Sequence, residues 1–237
     1  MKTNTVFHLQ HYTIVSCKKT DSLYLKQKDY IVPVIHSIPL QNEDGTYNMI
    51  CEVPKHTTKK MEIKWKEPLH PFQQDVYDDG TLREYKCEAI PFNYGALPQT
   101  WENPKTIHKH SYCGGDDDPL DVIDIGKAVA KTGLVYKVKP LGILGMIDQH
   151  ETDWKVIAIN TCDPLVKHLH DIEDVEHHMP GWLNATREWL RNYKIPDGKA
   201  PNTFLFNGDY KNKAFAEEII AENHHEWEHA FGSVSKY

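Results

Sequence analysis

An acidic segment at residues 114–126 contains the residues whose types and spacing are best suited to chemistry. It places five carboxylates within residues 116–124 and then continues into apolar, strand-like sequence. Carboxylates this close repel one another, and each disfavours the ionisation of its neighbours. Hard cations such as Mg²⁺ choose oxygen ligands and would compensate this charge. The segment therefore indicates a metal site, with a solvated acidic loop as the alternative that applies to charge runs in general.

The local sequence also predicts how these side chains are oriented. Pro119 keeps the residue before it out of helical geometry, so we expect an extended segment. Side chains alternate between the two faces of an extended segment, and Asp116 and Asp118 would then share a face. In the strand that follows, one face would hold Asp121, Ile123 and Ile125, and the other would hold Val122 and Asp124. This entry into a strand argues against a solvated tail.

Further charged groups and tyrosines occur where they could join the acidic segment. Asp148 and Asp153 flank a turn at residues 149–152, and Lys155 lies on the same strand face as Asp153. The other candidates are Glu52, Lys60, Glu62, Arg83, Tyr94, Tyr193 and Lys194. Each residue taken alone also fits an ordinary role, such as an exposed charged pair, a core aromatic side chain or a cation at the C-terminal end of a helix.

Length, composition and charge limit the class of protein. The chain has 237 residues, of which 40% are hydrophobic and 26% charged, as is ordinary for a soluble globular protein with a sizeable core. The net charge of −7 disfavours nucleic acid as the main partner and is compatible with the binding of metal cations. The five cysteines are widely spaced without a CxxC motif. This pattern favours reduced thiols in a cytosolic protein over a disulfide framework or a zinc site.

The sequence gives no sign of a targeting or membrane-spanning segment. The first 20 residues lack the continuous apolar core of a signal peptide, and no run approaches the roughly 20 apolar residues of a membrane helix. We therefore expect a cytoplasmic protein that does not bind membranes. Because no internal repeat or low-complexity linker is evident, we predict an N-terminal extension at residues 1–30 and a single domain at residues 31–237.

Short strands precede helices along the chain. Period and turn signals predict strands at residues 22–25, 31–35, 47–53, 60–65, 121–125, 135–139, 141–147 and 154–160. Helical signals come late, with a helix start at Asp163-Pro164, an apolar stripe from Trp182 to Tyr193 and a long helix from Phe215 to Phe231. This order predicts a β-rich α+β fold. A small closed barrel is expected, since so many short strands would otherwise leave open edges.

Taken together, the motifs resemble the family I soluble inorganic pyrophosphatases of the eukaryotic type. The segment Asp116-Asp117-Asp118-Pro119-Leu120-Asp121-Val122 fits the family signature of Asp, a small or polar residue, Asp, Pro, an aliphatic residue, Asp and another aliphatic residue. The similarity continues in the same order through residues 48–54, 93–101, 151–158 and 193–199. The resemblance implies a five-stranded, OB-like closed β-barrel with additional short strands and flanking C-terminal helices. It also implies a homodimer that hydrolyses pyrophosphate to two orthophosphates with several Mg²⁺ ions.

The resemblance assigns the metal-binding residues. Because pyrophosphate is highly charged and repels hydroxide, such a site must neutralise the substrate and supply hydroxide near neutral pH, and metal ions do both. Asp116, Asp121 and Asp153 would be direct ligands. Asp148 would join Asp153 at ions that arrive with the substrate, and Glu62 would act mainly through metal-bound water.

The remaining roles concern water, phosphate and support. Asp118 would orient the attacking water and help to deprotonate it, and Lys60, Arg83 and Tyr94 would join it as catalytic groups. The expected phosphate contacts are Lys60, Arg83, Tyr94, Tyr193 and Lys194, which supply paired donors, point charges and hydroxyls. Glu52 would act from behind the metal ligands. Lys155 would steady the charge of the acids or touch phosphate.

One position departs from the family pattern. Family members usually carry a second tyrosine four residues before Tyr94, near the leaving group, and Ile90 stands there in this chain. The departure leaves open an inactive relative that binds metal or phosphate and serves as an interaction protein. An OB-type nucleic-acid binder is the other alternative, which the acidic charge disfavours.

Overall fold

Short strands dominate residues 12–232, the part of the chain that the computed structural model describes. The strands are β1 Thr13–Cys17, β2 Ser22–Gln27, β3 Tyr30–Ile31, β4 Tyr47–Val53, β5 Met61–Ile63, β6 Phe72–Gln74, β7 Asn93–Ala96, β8 Asp121–Asp124, β9 Val135–Asp148, β10 Glu151–Asn160, β11 Thr203–Phe204 and β12 Lys211–Asn212. The α-helices are α1 Val34–Ser37, α2 Ile172–His178, α3 Trp182–Asn192 and α4 Lys213–Phe231. Short 3-10 helices lie at Pro164–Lys167, Ile195–Asp197 and Leu205–Gly208.

Five strands of the main sheet are paired in a ring. β8 pairs with β7 and, in parallel, with β10. β7 pairs with β4, β4 with β9, and β9 with β10, so that each of the five has two neighbours. β11 and β12 add to the sheet through β9. Mixed sheets with few helices agree with the predicted β-rich α+β class.

A second, separate sheet contains the N-terminal strands and packs on the main sheet. Its strand order is β1-β2-β6-β5, and β3 pairs with β2. Leu25 of β2 is fully buried in one cluster with Ile50 of β4 and Val135 of β9. The second sheet thus packs against the ring strands through Leu25 of β2. The domain boundary at residue 30 stays a prediction, and residues 1–11 and 233–237 lie outside the described residues.

Alternating side chains of β8 and of Ile125, which directly follows it, enter two separate hydrophobic clusters. Val122 lies in a cluster that includes residues of α4, whereas Ile123 and Ile125 lie in a cluster that includes residues of α2 and α3. The predicted distribution of these side chains over the two strand faces is therefore confirmed. Burying each of them contributes about 1.5–3 kcal/mol. This fixes β8 so that Asp121, at its first position, reaches the cavity described below.

Most predicted strands are present, with two informative differences. The strands predicted at residues 135–139 and 141–147 are one continuous strand, β9, because a bulge accommodates Pro140: Ile157 pairs with Gly142 and Ala158 with Pro140. At a bulge, proline does not deprive the sheet of a required donor. The strand predicted at residues 31–35 is wrong beyond Ile31, since α1 begins directly after Pro33.

The late helices agree with the sequence pattern. α3 and α4 correspond to the predicted stripe and C-terminal helix, and the Asn212 side chain caps α4 by accepting from the Phe215 amide at 3.0 Å. The helix start at Asp163 is also present, although only a four-residue 3-10 helix follows it. α2, which begins with a capping box formed by Asp171 and Asp174, was not predicted from the sequence. Among the described residues, no helix has the length and apolar character needed to span a membrane.

Candidate active site

One cavity of about 220 Å³ is lined by all thirteen candidate residues from the sequence. The strands contribute Glu52 (β4), Glu62 (β5), Tyr94 (β7), Asp121 (β8), Asp148 (β9), and Asp153 and Lys155 (β10). The connecting segments contribute Lys60, Arg83, Asp116, Asp118, Tyr193 and Lys194. The fold thus brings residues from distant parts of the chain to one place, while their individual roles remain predictions.

Strand pairing sets the relative positions of the groups at one wall. Lys155 of β10 is the register partner of Asp121 of β8, and Asp153 lies two residues earlier on the same face of β10. On the other side of β8, the Tyr94 hydroxyl of β7 donates a hydrogen bond to the Asp121 carboxylate. Three adjacent strands therefore present a hydroxyl, two carboxylates and an ammonium group to the same cavity.

Lys155 is the internal cation of this wall. Its side chain is 3% exposed, and its ammonium group contacts the carboxylates of Asp121 and Asp153 and donates to the Tyr94 hydroxyl at 3.1 Å. Burial opposes the charged form, but the two carboxylates outweigh it and raise the pKa of Lys155 well above its usual range. Lys155 therefore stays positively charged and neutralises part of the acidic wall.

Three carboxylates form a group suited to a metal ion. Glu102, Asp116 and Asp153 each offer an oxygen, and these oxygens lie within 4.8 Å of one another. Glu102 Oε1 accepts from the Trp154 amide at 3.1 Å, whereas its buried Oε2 has no hydrogen-bond partner within residues 12–232. Burial, followed by the neighbouring carboxylates, raises the pKa of Glu102 and of Asp116. An orphaned buried oxygen and an all-oxygen donor set fit a hard cation such as Mg²⁺.

The acidic segment turns sharply, which differs from the extended conformation expected for it. Asp117 has a φ of +68°, in the left-handed region, and the Asp118 amide donates to Asp116 Oδ1 at 3.1 Å. This local side-chain bond stabilises a turn in place of a strand. Asp116 and Asp118 still both reach the cavity, whereas Asp117 contacts Trp101 and Lys66 outside it.

A cationic network forms another part of the cavity wall. The Lys60 ammonium contacts Glu62 and Asp75, each at 2.9 Å, and the Arg83 guanidinium contacts Asp75 at 2.7 Å. Lys64 contacts the other oxygen of Glu62 at 2.5 Å and Asp75 at 3.2 Å. Three cations thus share two carboxylates, which leaves positive charge next to the cavity. Asp75 and Lys64 were not predicted from the sequence, because neither belongs to a motif.

The end of α3 supplies the third part of the wall. Trp189 of α3 stacks on the Tyr193 ring with centroids 5.2 Å apart, which fixes the tyrosine where the helix ends. The next residue, Lys194, forms an ion pair with Asp148 at the end of β9. Burial raises the pKa of Tyr193, so its hydroxyl stays protonated and can donate a hydrogen bond into the cavity.

Glu52 lines the cavity and connects two of its strands. It is 7% exposed, and its Oε1 accepts from the Ile63 amide at 2.6 Å, which ties β4 to β5. Burial, followed by the Asp121 carboxylate, raises the pKa of Glu52. Because β5 also bears Glu62, Glu52 helps to fix the position of that side chain.

Ile90 lies in the core, and a different tyrosine reaches the cavity. Ile90 is fully buried in the hydrophobic cluster that contains Ile123 and does not line the cavity. Tyr85 does line it, with its ring 5.1 Å from that of Trp189 and 5.9 Å from that of Tyr193. The cavity therefore keeps a phenol beside Tyr193 although the expected tyrosine position is occupied by isoleucine.

Known proteins resemble this chain over most of its length. A family model described as inorganic pyrophosphatase matches residues 49–228. An inorganic pyrophosphatase of Drosophila melanogaster is 51% identical over 228 residues, which cover 90% of this chain and 67% of that protein. The solved structure of inorganic pyrophosphatase from Schistosoma japonicum has a TM-score of 0.86 and 43% identity and covers 92% of this chain and 79% of that one. The N-terminal-domain-truncated vacuolar soluble pyrophosphatase of Trypanosoma cruzi, solved in complex with PPi, has a TM-score of 0.85 and 40% identity over 98% and 94% of the two chains.

Proposed function

The chain belongs to the inorganic pyrophosphatase family, and we propose that its cavity is where it hydrolyses pyrophosphate to two orthophosphates. The observation that supports this site most directly is that carboxylates and cationic side chains line the same cavity. Asp116 and Asp153, of the metal-suited carboxylate group, line the same cavity as Lys60 and Arg83. Hydrolysis of a polyanion by water needs both, because one set binds cations and the other holds phosphate oxygens.

The oxygen ligands support Mg²⁺ as the metal. Asp116, Asp121 and Asp153 would hold it, and Asp148 would contribute at the end of β9. Glu102 does not line this cavity, but its carboxylate lies beside those of Asp116 and Asp153 and adds an oxygen that the sequence motifs did not identify. Bound Mg²⁺ supplies two effects, a lower pKa for water and shielding of the phosphate charge. Glu62 has both oxygens engaged by lysines, which supports an indirect role for it.

The other residues of the chain orient water and phosphate. Asp118 is open to the cavity and would accept a proton from the attacking water. Partial desolvation raises the pKa of Asp118, with Glu62 and Asp121 adding to the effect and the Trp65 hydrogen bond opposing it. The groups that would hold the phosphates are Lys60, Arg83, Tyr94, Tyr193 and Lys194. Their positions are fixed by the contacts described above, so little reorganisation is needed when phosphate binds.

We also propose a homodimer, a closed barrel and a cytoplasmic location. The family resemblance supports a homodimer, to be tested by light scattering of the purified protein. The ring of strand pairs supports the five-stranded, OB-like closed barrel. The five cysteines are free, which supports a reducing compartment such as the cytoplasm.

Phosphate release from pyrophosphate, with and without Mg²⁺, tests the function. We expect Mg²⁺-dependent release by the wild type and a loss of at least about 100-fold in kcat for Asp118→Asn, because general-base contributions are of this size. Asp117→Asn is the matched control, since it makes the same change one residue away and outside the cavity. Absence of release from a folded wild type that binds Mg²⁺ would contradict the proposal, and equal losses in the two variants would contradict the role of Asp118.

A further inference from the structure

The Trp65 side chain contacts the proposed catalytic carboxylate directly. Its indole Nε1 donates a hydrogen bond to Asp118 Oδ1 at 2.9 Å, although the two residues are 53 positions apart in the chain. Trp65 also lines the cavity, two residues beyond the end of β5. Indole has a single donor and no acceptor, so this bond points one way and engages one of the two carboxylate oxygens. The other oxygen remains available for water.

An aromatic cluster holds the indole ring in place. The His36 ring contacts Trp65 edge-on with centroids 6.4 Å apart, and the Phe231 ring does so at 5.8 Å. His36 and Phe231 stack on each other at 5.3 Å, and Trp227 Nε1 donates to His36 Nδ1 at 2.9 Å. Since Trp227 and Phe231 belong to the last turns of α4 and His36 belongs to α1, two helices position the ring.

We propose that Trp65 is a positioning residue that sets the orientation of Asp118 for the hydrolytic reaction, an inference that rests on the function proposed above. A carboxylate on an exposed turn can rotate about its side-chain bonds, and each orientation presents its oxygens differently to water. The indole, braced by α1 and α4, holds one oxygen and so selects one orientation. Holding a reacting group near its productive geometry lowers the barrier, and small misplacements are costly.

The neighbouring residues offer an internal control. Trp101 Nε1 donates to Asp117 Oδ1 at 2.9 Å, and its ring also contacts Phe231, with centroids 5.2 Å apart. The same donor type, the same distance and the same aromatic cluster therefore occur at the adjacent aspartate. Asp117 does not line the cavity, so loss of this bond removes no hydrogen bond from the reacting carboxylate.

Kinetics of Trp65→Phe and Trp101→Phe test the proposal. Both changes keep an aromatic ring and remove the donor. We expect kcat to fall about tenfold in Trp65→Phe with KM unchanged, the effect of about one oriented hydrogen bond on the barrier. Trp101→Phe should keep the kcat of the wild type. In an Asp118→Asn background, Trp65→Phe should cause no further loss, because the two residues act as a unit.

A second measurement reads the contact without any turnover. The indole N–H resonance of Trp65, assigned by its absence from the spectrum of Trp65→Phe, should shift much further in Asp118→Ala, which removes its acceptor, than in Asp117→Ala, which removes only the ion-pair partner of the Lys66 ammonium that lies over the Trp65 ring. The resonance of Trp101 should behave in the opposite way. Equal kcat values for wild type and Trp65→Phe, equal losses in the two tryptophan variants, or a Trp65 resonance indifferent to Asp118 would each overturn the positioning role. A wild type that releases no phosphate would overturn the proposed function itself.

Discussion

Replacement of Lys155 by Met tests the charge balance of the cavity. Met keeps much of the apolar stem and removes the ammonium group that contacts Asp121 and Asp153. Removing one partner of a buried ion pair costs about 3–5 kcal/mol, because the other charge stays buried without compensation. The side chains of Asp153 and Asp121 are 7% and 16% exposed, so Asp121 keeps some contact with water. We therefore expect the free energy of unfolding to fall by about 3 kcal/mol, the lower end of this range.

Thermal unfolding in EDTA and in saturating Mg²⁺ measures this effect. For a domain of this size, a loss of about 3 kcal/mol lowers Tm by about 6–12 °C in EDTA. Mg²⁺ at about 100 times its Kd stabilises a folded state that binds it by about 2.7 kcal/mol. In the variant, the cation also supplies the missing positive charge beside the two carboxylates. The Tm difference between wild type and Lys155→Met should therefore shrink when Mg²⁺ is added.

Lys137→Met is the control for this experiment. Lys137 pairs with Asp44 at 2.7 Å near the surface, where that carboxylate is 54% exposed. Exposed pairs contribute less than about 1 kcal/mol, so the control should lose little Tm, and equally with and without Mg²⁺. Two outcomes would refute the reasoning. Either Lys155→Met lowers Tm by the same amount in EDTA and in Mg²⁺, or it lowers Tm no more than Lys137→Met does. In both cases the carboxylates of the cavity would not need an internal cation.

Two buried polar groups outside the cavity lead to predictions about stability. Burial lowers the pKa of His70 to about 4, and the unfolded chain titrates at about 6.5, so the unfolded state binds more protons between these values. The free energy of unfolding should fall by up to about 3 kcal/mol as pH drops from about 6.5 to about 4, and urea titrations of His70→Asn should lack most of this slope. Asp124 Oδ1 accepts from the Gly126 and Asn160 amides and Oδ2 from Asn93 Nδ2 and the Tyr136 hydroxyl, all at 2.8–3.0 Å. In Asp124→Asn the side-chain NH₂ group would face hydrogen-bond donors, and the free energy of unfolding should fall by about 3 kcal/mol. Tyr136→Phe removes one donor and should lower it by about 1.5 kcal/mol. Urea unfolding at neutral pH measures both, and equal losses would contradict this account.

The strands could be predicted where the apolar residues in the sequence follow the alternation of side chains between the two faces of a strand. β4 and β8 were found because each carries apolar residues on the faces that the core covers. The continuity of β9 could not be predicted, since a proline such as Pro140 normally ends a strand and only the bulge opposite Ile157 and Ala158 accommodates it. The start of α1 was missed because Val34 and Ile35 are typical strand residues that tertiary packing places in a helical turn.

In the site, too, residues within a sequence motif could be predicted, whereas residues brought in only by the fold could not. Asp116, Asp118 and Asp121 could be identified because they lie within one motif whose composition is itself unusual. Glu102 could not be proposed, because only the fold brings its carboxylate beside those of Asp116 and Asp153. The one local signal for it was its place in the segment that directly follows residues 93–101 of the family pattern. Trp65 had no local signal at all, since only the fold brings its indole to Asp118.

The balance of charges around the cavity supports the binding of several metal cations, and it does so more strongly than the acidic motif alone. Among the described residues that line it, eight carry a carboxyl group and four carry an ammonium or guanidinium group, which leaves four negative charges in excess when all are ionised. Two divalent cations would balance this excess before any substrate binds. Pyrophosphate brings further negative charge into the same space, so its binding next to the carboxylates needs additional cations or would be opposed by repulsion. Lys60, Arg83, Lys155 and Lys194 are already counted in this balance, so the remaining negative charge is what metal cations would have to neutralise for pyrophosphate to bind.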